Sequence, residues 1–234
     1  YNISNIPNLR DTKTMFKLLE IIGCKISFSD KSVVIDTTKC DNPEAPYDLV
    51  KTMRASFYVL GPLLSRFKYA KVSLPGGCAW GPRPINFHLE AFKKLGAKVT
   101  LDSGYILIEG DLKSAKIKFP IPSVGATGNV IMACVNLEDE VEIENASMEP
   151  EIVDLCNFYI KCGVSIGGIG TNKLTIKGIK PNNDLNIKYS IIPDRIEAGT
   201  FLIAAAASKG NMKLNNCTHT HLTNVISKLK DVGA

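Results

Sequence analysis

The chain carries a thiol, a guanidinium and a cluster of glycine amides on one short stretch, residues 71–88. Val72 and Leu74 alternate as a short strand, and the strand runs into Pro75, Gly76 and Gly77, with Cys78 directly after. Trp80, Gly81, Pro82, Arg83 and Pro84 then hold the chain out of helix until an apolar periodicity begins near Phe87. Cys78 and Arg83 therefore share one loop between a strand and a helix. A cation beside a thiol favours thiolate, and glycine-rich backbone offers amides to oxyanions, so this loop suits an anionic substrate. The other six cysteines, Cys24, Cys40, Cys134, Cys156, Cys162 and Cys217, read as small apolar residues in the core. His219 and His221 alternate with threonines and have no carboxylates nearby, so no metal site is expected. Glu149 and Glu151 read as the start of a helix, where acids meet the positive end of the dipole, and not as a catalytic pair.

The elements that must position this loop repeat along the chain. The first copy has a helix over 12–22, Gly23, and strands over 24–28 and 32–36. The second has a long helix over 50–67, the strand at 71–74, a helix over 85–95, Gly96, and strands over 98–101 and 105–109. The third has a helix over 128–137, a strand over 140–143, a helix over 151–162, Gly163, and strands over 164–166 and 173–176. A fourth begins with a helix over 195–208, a strand over 212–214 and a helix over 221–229 before Gly233. Gly23, Gly96, Gly163 and Gly233 recur 73, 67 and 70 residues apart, each where a left-handed residue would end a helix. One unit of helix, strand, helix, strand, strand cannot cover its own apolar faces, so several must pack together. The run Phe201, Leu202, Ile203, Ala204, Ala205, Ala206 and Ala207 is apolar nearly all round and is expected inside a ring of sheets.

Composition narrows the function. The chain has 234 residues, and 28 Lys and Arg against 23 Asp and Glu give a net charge of +5. That mild, scattered excess favours small anionic ligands over nucleic acid. An odd number of irregularly spaced cysteines indicates neither a disulfide framework nor a zinc site, which fits a reducing cytoplasm. No apolar run approaches membrane-spanning length and no signal segment is visible, so no membrane association is expected. The chain opens on Tyr1 and stops within a repeat, and an internal piece of a longer protein is expected.

Five motifs then act together: Thr52-Met53-Arg54-Ala55-Ser56; Leu74-Pro75-Gly76-Gly77-Cys78 with Gly81, Arg83 and Pro84; Ser123-Val124-Gly125-Ala126-Thr127; Glu149-Pro150-Glu151; and Pro193-Asp194-Arg195-Ile196-Glu197-Ala198-Gly199. In order and spacing the chain resembles the UDP-N-acetylglucosamine enolpyruvyl transferases, the 1-carboxyvinyltransferases. The resemblance implies an α/β fold, an inside-out α/β barrel built from repeated helix-strand-helix-strand-strand units. Residues 1–190 would form most of the domain bearing the Cys78 loop, with its first strand missing, and 191–234 would begin a second domain. It implies transfer of the enolpyruvyl group of phosphoenolpyruvate to the 3-hydroxyl of UDP-N-acetylglucosamine, with release of phosphate and no cofactor. That is the first committed step of peptidoglycan synthesis, tied to cell wall biogenesis, cell shape, the cell cycle and division.

Carried over by motif, Cys78 matches the catalytic cysteine, the acid toward the methylene carbon. Arg83 matches the arginine that neutralises the phosphate, and Arg54 a second arginine of the cleft; a planar guanidinium can pair two oxygens at once. Arg83, Pro84, Ile85, Asn86 and Phe87, with Ile121, Pro122, Ser123 and Val124, match the segments that bracket the nucleotide. His88 begins a helix beside them, where it either contacts ligand or is a solvated cap. Asn86 stands where many members carry an acid, and Ile121 where some carry a lysine. The upstream Lys-Asn pair and the downstream Pro-Thr-Asp of the family are absent from 1–234, so this piece alone is expected to be inactive. Two other readings remain open at this point: the sister enzyme that uses shikimate 3-phosphate, and a non-catalytic nucleotide binder.

Overall fold

The computed structural model describes residues 1–29, 32–74, 85–182 and 185–234. It opens with β1 (Asn2–Ser4), α1 (Arg10–Ile21), β2 (Lys25–Ser29) and β3 (Ser32–Asp36), followed by β4 (Glu44–Ala45) and the short α2 (Tyr47–Val50). A 3-10 segment (Arg54–Val59) leads into α3 (Leu60–Phe67), β5 (Tyr69–Ser73), α4 (Asn86–Lys94), β6 (Lys98–Asp102) and β7 (Tyr105–Glu109). Next come β8 (Lys116–Lys118), α5 (Val124–Cys134), β9 (Glu140–Glu144), α6 (Pro150–Lys161), β10 (Ser165–Gly167), β11 (Lys173–Lys177) and β12 (Lys188–Ser190). The chain closes with α7 (Arg195–Ala207), a 3-10 turn (His219–Leu222) and α8 (Thr223–Asp231). Two compact units result, Tyr1–Tyr189 and Ser190–Ala234.

The repeat is visible as three four-stranded sheets of one design. Their orders are β12-β1-β3-β2, β4-β5-β7-β6 and β8-β9-β11-β10. In each, the strand after a leading segment pairs antiparallel with the last strand of its copy, as in Val72 opposite Ile106 and Ile143 opposite Leu174. Alternation decides which face is buried: Ile106 and Ile108 of β7, Val141 and Ile143 of β9, and Leu174 and Ile176 of β11 all point inward. The four helix-ending glycines have φ of 101°, 95°, 99° and 84°, left-handed values that other residues adopt only with strain.

Helices fill the inside of the larger unit. Eight of the eleven residues of α5 are buried, on every face of the helix. α3 lies against it at Gly61, where a Cβ would overlap the Asn129 carbonyl oxygen. Glycine at 61 thus permits a backbone approach that any side chain would prevent.

The structure corrects several sequence readings. The helix over 50–67 is interrupted: Met53 is extended (φ −147°, ψ 114°) and buried, and α-helix resumes only at Leu60. Pro62 explains the late start, because it has no N–H to give the Tyr58 carbonyl and fits only in a first turn. α5 begins at Val124 and not at 128, since the Ser123 hydroxyl accepts the Ala126 N–H at 3.3 Å and caps it. Residues 212–214 are not a strand. In the smaller unit, α7 is not enclosed: Phe201, Ile203 and Ile196 are 47%, 53% and 62% exposed, and only Ala198 and Gly199 are buried. Cys217 is exposed, contrary to the core reading, while Cys24, Cys40, Cys134, Cys156 and Cys162 are buried. Burial pushes the thiols of Cys134 and Cys156 up to about 12 and about 11, so both are inert packing groups.

Candidate active site

Cys78, Arg83 and Pro84 lie outside the described residues. Of the segments predicted to face the nucleotide, residues 85–87 and 121–124 are described, and each leads into a helix start. α4 begins after Ile85, whose carbonyl accepts the His88 N–H at 3.0 Å. Asn86 is exposed, Phe87 is half-buried with its ring 6.4 Å from that of Phe119, and His88 is buried. α5 begins at the Ser123 cap, with Ile121 and Pro122 exposed just ahead of it and Ser123 and Val124 half-buried. Its first turn carries no acidic residue, and the leading amides of a helix attract anions.

Gly125 joins the two helix starts. A Cβ there would lie 3.2 Å from both Cε1 and Nε2 of His88 and 3.7 Å from the Tyr58 hydroxyl. The glycine therefore lets the imidazole edge sit against the first turn of α5. Arg54, predicted for the cleft, is half-buried at the head of the 3-10 segment. Its charge reaches His88: burial first and the guanidinium second hold the imidazole well below its usual range, at about 4. Burial, then the Glu151 carboxylate, raises the Tyr58 phenol, with Arg54 acting in the opposite sense.

His88 is consequently neither a solvated cap nor a cation near neutral pH. Its ring packs edge-on against Phe57 at 5.0 Å and 81°, and its Nδ1 lies 3.1 Å from Nδ2 of Asn129. Sequence reasoning missed Asn129, Phe57 and Tyr58. The available signal was Asn129 itself, a lone amide within an otherwise apolar helical run.

Glu149 and Glu151 sit at the start of α6 as expected, at the N-cap and in the first turn, with Pro150 between them. The Ser147 hydroxyl donates to the Glu149 carboxylate, and Thr127 of α5 accepts the Ser147 N–H at 3.0 Å. Through Ser147, Glu149 ties the start of α6 to α5. A cavity of about 810 Å³ elsewhere in the larger unit is lined mainly by apolar side chains of α1, α3, α5 and α6, including Leu19, Leu63, Met132 and Phe158. None of the predicted site residues that are described borders it. Among the described residues no His, Cys, Asp and Glu cluster of three could hold a metal ion, and no helix is long and apolar enough to cross a membrane.

The sequence profile of the family described as EPSP synthase (3-phosphoshikimate 1-carboxyvinyltransferase) matches residues 1–234. The chain belongs to that family. Over 234 residues it is 50% identical to a UDP-N-acetylglucosamine 1-carboxyvinyltransferase from Chloroherpeton thalassium, covering 99% of this chain and 54% of that protein. It is 48% identical to one from Geotalea uraniireducens, covering 100% and 56%. The family member thus spans about half the length of the curated relatives it matches. Its fold is that of the enolpyruvyl transferase NikO from Streptomyces tendae, with a TM-score of 0.77 at 18% identity over 99% of this chain and 55% of that one. It is also that of EPSP synthase from Acinetobacter baumannii, with a TM-score of 0.68 at 19% identity over 100% and 54%.

Proposed function

We propose that this chain is part of an enzyme that transfers the enolpyruvyl group of phosphoenolpyruvate to the 3-hydroxyl of UDP-N-acetylglucosamine. The observation that carries the reading is identity of 48–50% along the whole chain to relatives bearing that name. The 3-hydroxyl loses its proton to a base or solvent as its oxygen bonds to C2 of phosphoenolpyruvate, and C3 gains a proton, giving a tetrahedral intermediate. Loss of a C3 proton and of phosphate then restores the double bond. Cys78 serves as the acid toward C3, a role open to a thiol whose acidity its surroundings tune. Arg83 and Arg54 neutralise the anionic groups, and 83–87 with 121–124 hold the nucleotide; the close approach of His88 to Gly125 at the start of α5 supports this. Residues 1–190 form most of the domain that bears the loop and 191–234 start a second, a division supported by the two compact units. In the cell this activity belongs to the cytoplasm and to peptidoglycan synthesis, and through it to cell shape and division.

The family profile is itself described by the shikimate acceptor, so acceptor choice is the discriminating experiment. Full-length protein with phosphoenolpyruvate is expected to release phosphate with UDP-N-acetylglucosamine and not with shikimate 3-phosphate. The opposite preference would assign the sister reaction. No release with either, from folded protein that binds UDP, would leave a nucleotide binder.

A further inference from the structure

The side chain of Asn129, fully buried, stands where three segments meet. Its Oδ1 accepts the Gly61 N–H at 2.8 Å. Its Nδ2 donates to the Phe57 carbonyl at 3.2 Å and lies 3.1 Å from Nδ1 of His88. The Gly61 N–H can only donate and the Phe57 carbonyl can only accept, so these two backbone groups fix which end of the amide is oxygen. An amide nitrogen carries two hydrogens and offers no acceptor, so with one hydrogen on Phe57 the other is directed at His88. Nδ1 must then be the accepting nitrogen, and the single ring proton resides on Nε2. That opposite edge of the ring is the one against Gly125 in the first turn of α5.

We propose that Asn129 is a positioning residue that locks His88 as the Nε2–H tautomer, so that the ring presents a hydrogen-bond donor beside the α5 amides to a phosphate oxygen of the bound uridine nucleotide. This rests on the reading of the site given above. A neutral imidazole donates from one nitrogen only, so the tautomer decides whether the ring attracts or repels an anion. The wrong tautomer would turn a lone pair on the ligand at the same position. The edge-on Phe57 contact holds the ring plane, and Gly125 supplies the clearance, so orientation and proton placement are both set before ligand arrives. A polar side chain within an apolar helix is thereby explained by something beyond packing.

The test uses full-length protein labelled with 15N-histidine near pH 7. The expected spectrum shows His88 Nδ1 unprotonated and Nε2 protonated, with the Nε2 signal shifting on addition of UDP. In Asn129→Asp both oxygens accept, so the ring proton is expected to move to Nδ1 and UDP affinity to fall at least tenfold. Asn129→Leu leaves the tautomer unconstrained and is expected to lose less. A wild-type ring protonated on Nδ1 overturns the proposal, as does a flipped tautomer in Asn129→Asp with unchanged UDP affinity. If Asn129→Asp does not fold, the wild-type spectrum with and without UDP still decides. An Nε2–H ring in wild type that binds no UDP overturns the ligand-facing half together with the nucleotide reading, and leaves only the tautomer lock.

Discussion

α5 and α7 are both apolar on nearly every side, yet α5 is enclosed and α7 is bare. Ala126 through Ile131 of α5 are all buried, whereas Phe201 and Ile203 of α7 are about half exposed. The difference lies in what surrounds them. α5 shares its unit with three four-stranded sheets and packs against α3 through Gly61. Among the described residues from 191 to 234 there is no strand. An apolar helix is enclosed only where sheets of its own unit surround it.

Substitutions can break or sharpen this contrast. The largest effect is expected from Ile131→Ala, which empties a fully buried site in α5 and should lower stability by about 2–5 kcal/mol in chemical denaturation. Ile203→Ala in the same 234-residue chain should change it by less than about 1 kcal/mol, because that side chain is half in water already. Equal losses would refute the difference in enclosure. Next come the helix glycines. Gly61→Ala forces a methyl into the Asn129 carbonyl and should destabilise by about 1–3 kcal/mol or more. Gly199→Ala meets only the side-chain ends of Leu222 and Val225, 3.3 and 4.0 Å away, and should stabilise by up to about 1 kcal/mol through helix propensity.

A pH effect of comparable size arises at His88, beside the first turn of α5. The folded imidazole of His88 refuses a proton until about pH 4, while the unfolded chain takes one up near pH 6.5. The unfolded state therefore binds more protons between those values, and stability falls as pH drops through that window, by up to about 1.4 kcal/mol per unit. Above pH 6.5 this dependence is absent. His88→Gln should flatten the profile, and an unchanged slope would place the titration elsewhere. Modest losses are expected at the caps: Asp194→Ala removes an acceptor for the Ile196 and Glu197 N–H groups and Ser123→Ala one for Ala126, each worth about 1 kcal/mol. Differential unfolding of the two units, followed by hydrogen exchange, separates these losses.

Much of the architecture was legible because its signals are local. Gly23, Gly96, Gly163 and Gly233 end helices in left-handed geometry, and the alternating apolar residues of β7, β9 and β11 face inward. The break before α3 was carried by Pro62 and passed over, since the apolar periodicity continues across it. The start of α5 is set by the Ser123 cap, ahead of Gly125 and Gly128, which are poor helix formers. The candidate site was legible only as segments. Residues 85–88 and 121–124 adjoin through Gly125, but the Asn129 link to His88 depends on a contact between α4 and α5 that no spacing along the chain encodes. Burial of α7 was misjudged for a similar reason: composition describes the helix and is silent on its neighbours.

Single-turnover phosphate release asks whether Cys78 is the acid of the enolpyruvyl transfer proposed above. Full-length wild type and Cys78→Ala, each shown to bind UDP equally, would be mixed with phosphoenolpyruvate and UDP-N-acetylglucosamine. Acceptor-dependent release is expected in wild type, with a loss of at least a hundredfold in the variant, the scale of removing an acid–base group. Release at the wild-type rate from Cys78→Ala would contradict that role.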